Sequence, residues 1–299
     1  MYDYIHKPII FIGAPRSGTT IISEIIMQHP DLAWPSNYQE ALPAFPGVNY
    51  LRQFFENRLW SVSGNKQQLH ATSPLNKYYF KPSECYRMWE YITGDNINFS
   101  RGFLINEKAE NLQKQFIRNY FSKMVKGQNR KRLAFKITGP PRIGYLLDIF
   151  PDARFVLIRR NYIPTISSLL KVGFWSDLGM KKLWWTGPNN EKEKQWAVDH
   201  GNEPELLAAF QLKKIHWAEK LEIDKYKPDL LEINYEEFVS APGENINKIL
   251  IHCELSYDKR IDSYLEKNPV ISRNKSDNEY FDKESLRKIN LVLRGELIS

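Results

Sequence analysis

The chain runs to 299 residues, 42% hydrophobic and 26% charged, with a formal net charge of +7. That length favours one large α/β domain over two small ones. The two cysteines, Cys85 and Cys253, stand far apart without a CxxC, which argues against a disulfide framework or a thiolate metal site. No window approaches roughly 18 consecutive apolar residues, so no membrane span is expected. The opening "MYDYIHKPIIFIG" lacks a signal-peptide apolar region, which makes the cytoplasm the simplest compartment.

In chain order, the first predicted strand is "PIIFIGA" (8–14), followed by the loop "GAPRSGTT" (13–20). A helix over 20–28 then presents Ile21, Ile22, Ile25 and Ile26, and Pro30 stops it. After an interval rich in aromatics, Pro and Gly (31–106) come the strands "RLAFKIT" (132–138) and "ARFVLIRR" (153–160). A helix over 161–172 has Asn161 as its cap and Pro164 in its first turn, where proline is tolerated. A second aromatic interval (173–204) precedes a helix over 205–224, the strand "DLLEINY" (229–235) and helices over 242–252 and 283–294. The strands are continuous rather than alternating apolar runs, as expected where both faces are covered. Their alternation with helices predicts a doubly wound α/β fold, a parallel sheet flanked by helices. The expected organisation is one domain over 1–299, with 31–106 and 173–204 as insertions shaping a pocket beyond the carboxyl ends of the strands. Charges of both signs are spread along the chain, and "KGQNRKR" (126–132) is its basic cluster, so no nucleic-acid partner is expected.

"GAPRSGTT" has the outline of a phosphate-cradling loop: it leaves a strand and opens a helix. Backbone N–H groups at Ser17, Gly18, Thr19 and Thr20 are expected to face an anion at the positive end of the helix dipole. Gly13 and Gly18 permit the close approach, Thr19 and Thr20 add hydroxyl donors, and Arg16 adds a guanidinium fork. A triphosphate loop needs a lysine on the β/γ-phosphates and a carboxylate for magnesium. Thr19 stands where that lysine belongs, the second strand runs on into "TGPP" without an aspartate, and the third ends in "RRN".

Three stretches, "FIGAPRSGTT…HPD", "FPDARFVLIRRNYIPTISSLL" (150–170) and "INYEEFVSAP" (233–242), together resemble the sulfotransferase family. The resemblance covers about 9–170 and 205–252. It implies a P-loop, nucleotide-kinase-like fold and 3′-phosphoadenosine 5′-phosphosulfate (PAPS) as sulfuryl donor. The loop, with Arg16, Ser17, Gly18, Thr19 and Thr20, is then the 5′-phosphosulfate site, and Arg160 with Ser168 the 3′-phosphate site. Tyr235 corresponds to a tyrosine on adenine, and the late segment "SRNKSD", with Arg273, is placed to close over the nucleotide. "PRSGTT" and "FKITGPP" look closer to the bacterial and tyrosylprotein branches than to the cytosolic small-phenol branch, which usually has Lys where Arg16 stands and Trp where Ile21 stands. Asn161 departs from the family's usual acidic residue, and Ile163 from a frequent second arginine.

Sulfuryl transfer is an in-line displacement with charge building on the leaving oxygen. The sulfuryl group carries less charge than a γ-phosphate, so no metal is expected and fixed cations can meet the leaving phosphate. Arg16 and Lys136 are the candidates. Lys136 lies between apolar residues, where a lysine is costly unless paired. Arg159 alternates to the other side of its strand from Arg160. Glu40 is the candidate base for the acceptor hydroxyl, with His70 as runner-up, while His29 in "QHPD" reads as structural. Trp175, Trp184, Trp185 and Trp196, half of the eight tryptophans, fall in 173–204, either as a substrate lid or as the roof of a core. Lys181 and Lys182 favour an anionic or polyhydroxyl acceptor; carbohydrate, lipid-linked glycan, peptide tyrosine and small alcohol stay open. Two other readings remain at this point: a P-loop small-molecule or nucleotide kinase, and a basic polyanion-binding module.

Overall fold

A computed structural model describes residues 5–55, 80–173, 175, 182–267, 269–271 and 274–296; His70, Lys181 and Arg273 lie outside them. The four predicted strands form as β1 (Ile9–Gly13), β3 (Arg132–Thr138), β4 (Arg154–Arg159) and β5 (Asp229–Asn234), joined by a two-residue β2 (Leu32–Ala33). All neighbours pair parallel, in the order β2-β3-β1-β4-β5. β1 is the middle strand, fully buried along its length, with Gly13 opposite Thr138 on one side and Ile158 on the other. The carboxyl ends of β1, β3 and β4 therefore reach one rim.

The helices are α1 (Thr19–Ile26), α2 (Asn37–Ala41), α3 (Arg52–Phe55), α4 (Tyr86–Thr93), α5 (Asn111–Gly127), α6 (Ile143–Ile149) and α7 (Tyr162–Leu169). They continue with α8 (Glu191–Asp199), α9 (Pro204–Tyr226), α10 (Tyr235–Ser240), α11 (Pro242–His252), α12 (Lys259–Lys267) and α13 (Lys283–Arg294). One face of the sheet is covered by Met88 and Trp89 of α4 and by Ile117, Phe121, Met124 and Val125 of α5, the other by Ile22 and Ile25 of α1 and Ile246 and Ile249 of α11. A third core joins α7, α9 and α13 to the segment around Trp175 and Trp185. Trp175, Trp185 and Trp196 are buried there, together with Ala14 of the loop, so these three tryptophans roof a core. Asn161 does hold the cap position of α7, but its side chain makes no capping bond; Thr165 instead donates to Asn161 O at 2.7 Å.

Buried charge sets the direction of the β4 end. Arg159 turns onto Glu219 of α9 at 3.0 Å and Glu232 of β5 at 2.8 Å, leaving Arg160 for the opposite side. Glu219 is 1% exposed as a side chain. Burial pushes its carboxyl up from 4.5 to about 8, despite the pull of Arg159. The neutral form is thus favoured in the fold. The stability this group contributes is complete below pH 4.5 and is lost as pH rises through about 8. Glu219→Gln, which cannot ionise, is expected to flatten the fall of Tm between pH 5 and 9. Identical pH profiles for the two proteins would refute this account of Glu219.

Candidate active site

The loop between β1 and α1 is shaped by two positive-φ residues, Arg16 (φ 67) and Gly18 (φ 93). At Gly18 the requirement is also spatial, since a Cβ there lies 2.1 Å from Cδ2 of Tyr235. Ser17 N–H closes a turn onto Ala14 O at 3.2 Å, so the backbone donor expected to face an anion is used inside the loop. The Ser17 hydroxyl, 1% exposed as a residue, is left without a partner. The first helical bond is Ile22 N to Gly18 O, which leaves the N–H groups of Thr19, Thr20 and Ile21 ahead of it at the helix start. Such a terminus favours an anion.

Arg16, Arg160 and Ser168 come together from three elements. Arg16 Nε donates to Ser168 Oγ at 2.9 Å, and Arg160 donates through Nη1 to Arg16 O at 2.9 Å. The Arg160 guanidinium lies 4.6 Å from the centre of the Tyr235 ring. It also donates to Asn274 Oδ1, while Asn274 Nδ2 donates to Glu236 Oε1 at 3.0 Å. Arg160 Nε and Glu236 Oε2 are buried without partners. Partial enclosure, then the like charge of Arg160, hold the Arg16 guanidinium below its ordinary value. An anion bound beside two cations this close would offset both charges.

Lys136 reaches the same loop from β3. Its ammonium donates to Thr20 Oγ1 at 2.7 Å and pairs with Glu84 at 3.0 Å. The rim therefore carries Arg16, Arg160 and Ser168 on one side and Lys136 with Thr20 on the other. Glu40 is placed differently: its carboxylate accepts from Arg87 N at 3.1 Å, in the first turn of α4. Burial, partly offset by that bond, raises its carboxyl above the usual range. Tyr235 starts α10 and packs its ring on Gly18 and Arg160. His29 is buried, with Nε2 2.9 Å from Ser256 O and Nδ1 accepting from Asp31 N at 3.2 Å, a structural arrangement.

Glu84, Glu236 and Asn274 were not singled out from the sequence. Glu84 lies in no motif, whereas Glu236 sits inside "INYEEFVSAP" and Asn274 inside "SRNKSD"; Glu84 meets Lys136, and Asn274 meets Arg160, only through the fold. The signal that could have found Glu84 was Lys136 itself, whose place in an apolar strand demanded a carboxylate. Among the described residues no cluster of three or more His, Cys, Asp or Glu could hold a metal ion, and no helix is long and apolar enough to cross a membrane.

The class defined by this parallel sheet and loop is an α/β fold of the P-loop, nucleotide-kinase-like kind. A family model described as "Sulfotransferase family" matches residues 8–259, and the chain belongs to that family. A search of curated proteins finds no match. Among solved structures, the chain is similar to sulfotransferase STF9 from Mycobacterium avium, at 18% identity and a TM-score of 0.58, covering 95% of this chain and 75% of that one. It is also similar to sulfotransferase STF1 from Mycobacterium tuberculosis, at 13% identity and a TM-score of 0.50, covering 95% and 76%. These likenesses establish the fold.

Gly18→Ala is expected to destabilise the protein, because the left-handed conformation costs an L-residue about 1–2 kcal/mol and the added methyl overlaps the Tyr235 ring. Urea denaturation measures this; an unchanged midpoint would show that the loop relaxes without cost.

Proposed function

We propose that the chain transfers a sulfuryl group from PAPS to a hydroxyl acceptor. The observation that carries this reading is the convergence of Arg16, Arg160 and Ser168 beside a loop whose buried Ser17 hydroxyl lacks a partner. A donor with phosphates at both ends of one nucleoside fits that pair of neighbouring anion sites. The loop from Arg16 to Thr20 would hold the 5′-phosphosulfate, and Arg160 with Ser168 the 3′-phosphate. Tyr235, already stacked on Arg160, supports the nucleotide end of the site.

In the reaction, the acceptor oxygen forms a bond to sulfur while the bond from sulfur to the bridging phosphate oxygen breaks. The leaving group is 3′-phosphoadenosine 5′-phosphate (PAP), and the acceptor proton passes to a base. Lys136 and the loop donors meet the charge on the leaving phosphate. Glu40 takes the proton; burial raises its carboxyl above the usual range, which makes its carboxylate a stronger base. The acceptor is a carbohydrate, lipid-linked glycan or other alcohol or phenol.

The donor is tested by melting. PAP without magnesium is expected to raise Tm, by an amount that grows with its concentration over its Kd, and Arg160→Ala to abolish the shift. ATP with magnesium raising Tm while PAP does not would favour a kinase instead. Once a screen with radiolabelled PAPS identifies the acceptor, Glu40→Gln is expected to lower kcat by about 100-fold or more with the PAP shift retained. A wild-type rate in that variant rules Glu40 out as the base.

A further inference from the structure

Glu84 lies outside the loop, in the segment that leads into α4, yet its carboxylate clamps the end of β3. One oxygen lies 3.0 Å from Lys136 Nζ, and the other accepts from Thr138 Oγ1 at 2.8 Å. Lys136 and Thr138 are two apart in the strand and share a face, so a single carboxylate reaches both. The Lys136 ammonium is thereby held between Glu84 behind it and Thr20 Oγ1, at 2.7 Å, in the first turn of α1.

The carboxylate is itself fixed. Ser36 and Pro82 form an antiparallel bridge, with Ser83 N donating to Pro35 O at 2.9 Å and Asn37 N to Lys81 O at 3.0 Å. Cys85, in a left-handed conformation at φ 54, then starts α4. The next residue, Tyr86, donates to Thr138 O at 2.7 Å and accepts from Thr138 N at 3.2 Å, tying the start of α4 to the end of β3. Burial works against the charge on Glu84, but Lys136 and the Thr138 hydroxyl outweigh it and hold the carboxyl below the usual range.

We propose that Glu84 is the positioning residue for Lys136, holding its ammonium against the loop so that the cation stands ready for the leaving phosphate. This rests on the sulfuryl-transfer reading of the site. A lysine carries a compact charge on a flexible stem, and a charge already in place needs no reorganisation when the leaving oxygen becomes negative. Both carboxylate oxygens of Glu84 already accept from protein donors, which sets it apart from a proton acceptor for the substrate.

The test needs no acceptor: it follows release of radiolabelled sulfate from PAPS to water, with PAP-induced melting measured on each variant. Glu84→Gln keeps the shape and removes the charge. It is expected to lower kcat by about 10- to 100-fold, as loss of a supporting partner does in other sites, with KM for PAPS within roughly threefold and the PAP shift retained. In a Lys136→Ala background the same change is expected to cost less than about twofold, because its action runs through the lysine. Glu84→Asp, which keeps the charge, should recover part of the rate even if Glu84→Gln folds poorly. Wild-type kcat in Glu84→Gln, or an equal loss with and without Lys136, overturns the proposal while leaving the donor reading intact. Absence of a PAP shift in the wild-type protein overturns the donor reading, and the proposal with it.

Discussion

Everything at the site depends on the parallel register of β1 between β3 and β4. Gly13 faces Thr138 and Ile158, so the chain leaves all three strands at one level. Gly13 also sits too close to Ile158 O for a side chain, since a Cβ there lies 2.5 Å from that oxygen. From this one rim the loop turns into α1, β3 delivers Lys136, and β4 delivers Arg160 just beyond its end. No local sequence signal brings these three cations together; the sheet does.

The charges around the rim are treated unequally. Arg159 is paired with Glu232 and reaches Glu219, and Lys136 is paired with Glu84. Among the described residues, no carboxylate lies within ion-pairing distance of Arg16 or Arg160, whose hydrogen bonds go to Ser168, the Arg16 carbonyl and Asn274. Packing two guanidiniums together without a counter-charge costs free energy that a bound phosphate offsets. The distribution therefore sets Arg159, bound into the fold by carboxylates, and Lys136, held against the loop by Glu84, apart from Arg16 and Arg160, which have no counter-charge.

The strands were legible because each is a continuous apolar run, the pattern of a sheet covered on both faces. "RLAFKIT" coincides with β3, and the helices over 242–252 and 283–294 with α11 and α13. β2 was not legible: two residues carry no periodicity. α5 was also missed, although Ile117, Phe121, Met124 and Val125 follow the helical period, because Lys114, Arg118, Lys123 and Lys126 interleave with them and the basic end draws attention first. The loop was legible from its place between a strand and a helix, and the Arg160–Ser168 pair from the family resemblance, but the contact of Arg16 with Ser168 was not. Glu84 was invisible for the same reason, and at "SRNKSD" the segment was legible but not the contact of Asn274 with Arg160, since these partners lie far along the chain and only the folded rim makes them neighbours.

The missing loop lysine has a geometric counterpart. A lysine at position 19 would extend from the first turn of α1 over the anion. Here Arg16, three residues earlier, adopts a left-handed conformation that non-glycine residues rarely take, and its side chain runs across to Ser168 on α7. Strain of this kind persists where the surroundings over-determine it, and it clusters at functional sites. The charge near the helix start is supplied instead from the neighbouring strand, by Lys136 on Thr20. Where one lysine is missing, two cations thus stand near the loop, Arg16 turned to Ser168 and Lys136 to Thr20. A triphosphate chain laid along the loop needs its cation at one end. A nucleotide carrying phosphate groups at two positions needs cations at both; under the proposed reading Arg16 and Lys136 would serve one and Arg160 the other.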